Sequence, residues 1–266
     1  MQTKQAIDIF INSRHAKGLS PHTIRWYKGI LTLFAQRYPK LPSKPEVIEV
    51  FLTSCQAGDE RRHGYYRTLR CLYRFLHKRL KVANIIEMVD VPRRKKKLPL
   101  VLTQDQLEQL LSYPHRPIIK ACLLFLTDTG CRVGELATLK PENLIETPQG
   151  YIAKVRGKTG ERLVPISIEV YTSIRNYLPL PFTAYRLRRK MTEAFKDAHV
   201  PGSALTLRHT FATLWQGDEL ILQRIMGHAY LTTTQIYRHL RVQSLVEQHN
   251  QYTPLRYVFA STRAML

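Results

Sequence analysis

The chain has 266 residues and a mass of 31.0 kDa, with 44% hydrophobic and 23% charged residues. That composition suits one large or two small globular domains and excludes a wholly disordered chain. Lys and Arg number 41 against 20 Asp and Glu, a formal net charge of +21, and a surplus of that size points to a polyanionic partner, nucleic acid first.

The N-terminal segment MQTKQAIDIFINSRHAKG is amphipathic, without the apolar stretch of a signal peptide. Ser20-Pro21 reads as a helix N-cap followed by proline in the first turn, and Ile24, Tyr27, Leu31 and Phe34 then repeat at helical spacing. A further helix begins near Pro45, and another covers roughly 60–79, with an apolar stripe of Tyr66, Leu69, Tyr73 and Leu76. Beside that stripe runs a cationic one: Arg67, Arg70, Arg74 and Lys78. Residues 1–90 therefore read as a small bundle of four or five helices. At 91–100 two prolines bracket the five cations Arg93, Arg94, Lys95, Lys96 and Lys97. Like charges repel and proline stops a helix, so this is an extended linker between two domains.

The second domain spans 101–266. Thr103-Gln-Asp-Gln106 fits a capping box, and Ile118–Leu126 is apolar nearly all round, as in a buried helix that Gly130 ends. The runs 151–156 and 162–166 are β-like, and the glycine turn between them makes a hairpin. Helical periodicity returns after Ile168. Of the four cysteines, none forms a C-x-x-C pair, which argues against a zinc site, and Cys71 and Cys122 fall in apolar helical runs, as reduced core thiols do. The longest apolar run, around Ala121–Leu126, is far too short to span a bilayer. The chain reads as a cytoplasmic protein with no membrane partner.

Four features of this half suit phosphate chemistry. Arg132 opens a helix after Thr-Gly-Cys, where a cation is poorly placed for the helix dipole unless it shares a bound anion or pairs with Glu135. Lys158 stands at the tip of the glycine turn. Leu207-Arg208-His-Thr-Phe-Ala-Thr follows, then Gly227-His228 and Thr-Thr-Gln-Ile-Tyr237.

In that order, and with nine residues from His228 to Tyr237, these motifs resemble the tyrosine recombinase (phage integrase) family, in its Xer-like form. The resemblance is strong over about 100–240; the N-terminal half matches the family's core-binding domain in size and helical character. It implies a mainly α fold: an N-terminal helical, SAM-like core-binding domain, then a mostly helical catalytic domain with a small antiparallel sheet. It also implies a site-specific recombinase that cuts and rejoins DNA through a 3′-phosphotyrosyl bond, independent of metal, ATP and any cofactor. By this resemblance Tyr237 is the nucleophile, Arg132 and Arg208 hold the non-bridging phosphate oxygens, Lys158 is the general acid and His228 bonds the phosphate. Glu135 then buttresses Arg132. A phenol with a pKa near 10 needs such a cationic site, and two forked guanidiniums suit a phosphate.

One position departs from the family. Three residues before its second arginine the family usually has His, sometimes Lys; here it is Leu205, which can donate nothing. His209 is adjacent to Arg208, but one residue along a helix turns the side chain by about 100°, so it does not take that place. If Leu205 is buried, a polar replacement would cost about 1–3 kcal/mol. Leu205 also keeps open a non-catalytic DNA-binding protein derived from the family; a type IB topoisomerase-like enzyme is the rival within the same chemistry. The partners implied are double-stranded DNA at a specific site, a homotetramer on paired sites and accessory DNA-bending proteins, in the nucleoid. Phosphate contacts are expected from the Arg67 stripe, the Arg93–Lys97 run, and Arg188 and Arg189. The apolar C-terminal segment, with Leu245, Val246, Leu255, Tyr257, Val258 and Phe259, must pack on its own chain or on a neighbour.

Overall fold

The computed structural model describes residues 1–54, 58–93, 99–157, 160–227 and 242–255, the last by backbone alone over 242–245. It divides into two compact units, Met1–Lys97 and Leu98–Leu266.

The first unit is helical: α1 (Thr3–Ala16), α2 (Pro21–Arg37), α3 (Pro45–Ser54), α4 (Asp59–Leu80) and a short 3₁₀ turn, Ile85–Met88. The Ser20 hydroxyl accepts from the Thr23 amide and Pro21 opens α2, as the sequence indicates. The α4 residues Tyr66, Leu69, Tyr73 and Leu76 are all buried against Phe10, Leu31, Phe34 and Ile48. Cys71 departs from expectation. It lies on the outer side of α4, exposed, with Tyr27 Oη donating to its sulfur at 3.7 Å, while Cys122 is fully buried. Apolar neighbours in sequence did not place it on the apolar face, because position 71 is turned about 200° around the helix from Leu69, away from the stripe of 69, 73 and 76.

The second unit packs helices around α6 (Pro117–Thr129), whose residues from Ala121 to Thr129 are buried. The preceding α5 (Gln104–Ser112) carries the capping box of Thr103 and Gln106. Gly130 closes α6 in the left-handed conformation, φ 60°, which glycine adopts without steric cost. After α7 (Val133–Leu136) come β1 (Leu144–Thr147), β2 (Gly150–Gly157) and β3 (Gly160–Ile166), a three-stranded antiparallel sheet in the order β1-β2-β3. The hairpin is as expected; β1 is an addition, a four-residue strand too short to show a pattern in the sequence. The chain continues through α8 (Ile168–Ile174), α9 (Ala184–Asp197), α10 (Ala204–Leu214), α11 (Glu219–Met226) and α12 (Val242–Tyr252).

The C-terminal apolar residues that are described pack within the chain. Val246 and Leu255 are buried, and α12 lies on β2 and β3. Tyr257, Val258 and Phe259 lie outside the described residues. No helix among the described residues is long and apolar enough to cross a membrane.

Candidate active site

Two arginines that the sequence singled out, 76 positions apart, line one cavity of about 690 Å³, together with Glu135, Arg156, Arg188 and Leu205. Arg132 is the N-cap of α7, with its guanidinium 43% exposed. Its backbone N–H donates to Glu135 Oε2 at 2.8 Å and its Nη1 to Oε1 at 3.2 Å. The carboxylate therefore takes the N-cap amide of α7 as well as one nitrogen of the Arg132 guanidinium.

Arg208 sits on the buried face of α10, 5% exposed. Its Nη1 donates to the Gly130 carbonyl at 2.6 Å and its Nη2 to the Met226 carbonyl at 2.7 Å. A guanidinium carries five N–H donors, so two carbonyls hold it in place and three donors remain for another acceptor. Burial, then the charges of Arg132 and Arg162, push its pKa down to about 10; it stays charged at neutral pH.

Glu135 does more than buttress Arg132. Arg162, from β3, donates to it twice, Nη1 to Oε1 at 2.7 Å and Nη2 to Oε2 at 2.8 Å. Arg162 Nε donates to the Ile225 carbonyl at 2.7 Å, and Nη2 also reaches Cys131 Sγ at 3.8 Å. Burial opposes ionisation of Glu135, but the hydrogen bonds from Arg162 and the Arg132 amide, with the two arginine charges, outweigh it and hold the pKa down to about 2. The guanidiniums of Arg132, Arg162 and Arg208 with the one Glu135 carboxylate leave an excess of positive charge, which favours an anion in the cavity.

Arg162 was missed in the sequence, yet a signal was there. Along β3, residues 162, 164 and 166 share one face. Val164 and Ile166 are buried on it, and the Arg162 side chain is only 11% exposed. An arginine in the apolar phase of a strand demands a buried partner. Arg156, also missed, lines the cavity from the exposed phase of β2.

Leu205 is 59% exposed and lines the same cavity one turn before Arg208, so the burial cost considered for it does not arise. Lys158, His228 and Tyr237 lie outside the described residues. The glycines next to two of them are described: Gly157 packs against the Glu135 carboxylate and Gly227 against the Arg162 guanidinium.

The expected phosphate contacts divide. On α4, Arg67 and Lys78 are exposed, but Arg70 and Arg74 both turn to Glu87, at 3.8 and 2.6 Å. On α9, Arg189 pairs with Glu193 at 3.1 Å, and Arg188 lines the cavity. Arg93 is exposed; Arg94, Lys95, Lys96 and Lys97 lie outside the described residues. No group of three or more His, Cys, Asp or Glu residues that could hold a metal occurs among the described residues.

Comparison with known proteins supplies the family. A model described as "Phage integrase family" matches residues 100–244. The chain is 30% identical over 284 residues to "Tyrosine recombinase XerC" of Thermodesulfovibrio yellowstonii, covering 90% of this chain and 92% of that protein. It is 27% identical over 296 residues to "Tyrosine recombinase XerD" of Haemophilus influenzae, covering 96% and 99%. The fold resembles that of the lambda integrase bound to DNA, with a TM-score of 0.73, 15% identity and coverage of 90% of this chain and 96% of that one. The chain belongs to the phage integrase family, as a Xer-like tyrosine recombinase.

Proposed function

We propose that this protein is a site-specific DNA recombinase that cleaves and rejoins strands through a 3′-phosphotyrosyl bond to Tyr237. The observation that carries the reading is the convergence of Arg132 and Arg208 on one cavity, each fixed by partners of its own chain. Such fixed donors suit the two non-bridging oxygens of a phosphodiester, whose charge grows in the transition state. The Tyr237 phenolic oxygen attacks phosphorus, the bond to the 5′-oxygen breaks, and that oxygen takes a proton from Lys158. His228 bonds the phosphate and takes the tyrosine proton. Attack by a 5′-hydroxyl from the second strand reverses each step, so no nucleotide is consumed.

The exposed cations of α4, the Arg93–Lys97 run and Arg188 suit phosphates of duplex DNA. A homotetramer on two paired sites, assisted by DNA-bending proteins, and a cytoplasmic, nucleoid-associated location complete the reading. Lambda integrase, whose fold this chain shares, is described as a tetramer bound to a Holliday junction.

The test is covalent capture. The full chain is mixed with a pool of nicked duplexes of randomised sequence, placed so that the short fragment released by the cut diffuses away. A denaturant-resistant protein–DNA adduct whose peptide map locates the nucleotide on Tyr237 is expected. A pool that binds without any adduct would contradict the reading.

A further inference from the structure

We infer that Arg162 is a positioning residue of the recombinase site, tying β3 to α7 and to the last turn of α11. The inference rests on the functional reading above and assigns a role to a residue outside the motifs that carry it.

The geometry is specific. Arg162 uses all three of its guanidinium nitrogens at once. Both terminal nitrogens engage the Glu135 carboxylate at 2.7 and 2.8 Å, and Nε engages the Ile225 carbonyl at 2.7 Å. Three pieces of chain are thereby fixed: β3, the turn carrying Arg132, and the last turn of α11. Glu135 in turn holds Arg132 through both its amide and its guanidinium.

The same ion pair is also the surface on which two backbone segments rest. A side-chain carbon on Gly157 would strike the Glu135 carboxylate, and one on Gly227 would come within 2.9 Å of Arg162 Cδ and 3.1 Å of Nε. Gly157 immediately precedes Lys158 and Gly227 immediately precedes His228. Met226, between Ile225 and Gly227, gives its carbonyl to Arg208. Arg132, Arg208 and the two glycines are thus referred to a single planar fork. A lysine could carry the charge, but as a single compact ammonium it could not span both carboxylate oxygens and the Ile225 carbonyl in this geometry.

Such a residue acts through others and touches no substrate. Misplacement of reacting groups by about 1 Å can cost 10²-fold in rate, so loss of the fork should show in the chemical step more than in DNA binding.

The experiment uses the full chain and a duplex recovered from the nicked pool by wild-type protein. Arg162→Lys is compared with wild type for thermal midpoint, DNA affinity and single-turnover adduct formation, alone and combined with Arg132→Lys. We expect near-normal affinity, adduct formation slowed by about 10²-fold, and a double variant whose loss is well short of the product of the two single losses, because Arg162 acts on Arg132 through their shared partner Glu135. Should Arg162→Lys fail to fold, the pair Glu135→Gln with Arg162→Met removes both charges together and should fold, bind and cleave slowly. A folded Arg162→Lys that cleaves within about threefold of wild type, or losses that multiply, would overturn the inference. The same holds for a folded charge-free pair that cleaves at the wild-type rate. If wild type itself forms no adduct, the recombinase reading fails and takes this inference with it; an adduct from wild type matched by the variants refutes the inference alone.

Discussion

His249 and Asp128, 121 residues apart, meet in a fully buried contact: His249 Nε2 donates to the Asp128 carbonyl oxygen at 2.8 Å and lies 3.2 Å from carboxylate Oδ1. Thr253 Oγ1 donates to Oδ1 at 2.6 Å and the Ser167 amide to Oδ2 at 2.8 Å. Asp128 lies in the last turn of α6, four residues before Arg132. His249 lies on α12, the first described helix after the segment that carries Tyr237. The contact therefore ties α12, which follows the proposed nucleophile in the chain, to the end of α6 just before Arg132.

Its strength depends on pH. Burial opposes a charged imidazole, but the Asp128 carboxylate, through charge and hydrogen bonding, outweighs it and holds the His249 pKa above the ordinary 6.5. A histidine raised in the folded state contributes stability that is complete below its unfolded value, about 6.5, and is lost as pH rises through the folded value. The thermal midpoint of wild type should therefore fall relative to that of His249→Gln as pH is raised above that value. At lower pH the variant should be less stable by about 3–5 kcal/mol, since it leaves a buried carboxylate without its counter-ion. A midpoint difference that stays constant from acid to alkaline pH would refute this.

Leu205 offers a second prediction. Because it is exposed beside Arg208 and lines the cavity, Leu205→His should change stability by no more than about 0.5 kcal/mol. It adds a donor where the phosphate is expected, and one such donor is worth about 10²–10³ in rate. Adduct formation per folded molecule should rise by up to that factor. A stable variant that is no faster would mean another group, such as Arg188 on the cavity wall, already fills the role.

Salt dependence separates the cations that reach DNA from those spent within the chain. Glu87 engages Arg70 and Arg74, and its own pKa is held down by the hydrogen bond from Arg74. Arg67→Gln with Lys78→Gln should make the log–log salt slope of DNA binding shallower by about 0.9 for each phosphate no longer neutralised, whereas Glu87→Gln should steepen it by releasing two arginines. Neutralising Arg93–Lys97 should weaken binding to all sequences alike. Slopes that do not move would mean these side chains face only solvent.

Much of this was legible in the sequence, for identifiable reasons. Ser20, Thr103 and Gly130 announce helix ends because capping is local chemistry, and Arg132 and Arg208 stand in contiguous motifs. The partnership of Arg162 with Glu135 spans 27 residues and joins a strand to a helical turn, so no single periodic pattern contains it. Only the inward phase of β3 hinted that its arginine was buried. Cys71 shows the converse: composition around a residue does not settle which side of a helix it takes. The pairing of Arg70 and Arg74 with Glu87 depends on the chain folding back after α4, which a cationic stripe alone does not reveal.

The central claim, phosphoryl transfer to a tyrosine within an arginine-lined cavity, is tested most directly by following adduct formation on the nicked duplex pool with wild type and Tyr237→Phe, each with and without EDTA. Wild type should form the denaturant-resistant adduct equally well in chelator, and Tyr237→Phe should bind the same DNA while forming none. An adduct from Tyr237→Phe, or one from wild type that EDTA abolishes, would contradict the account.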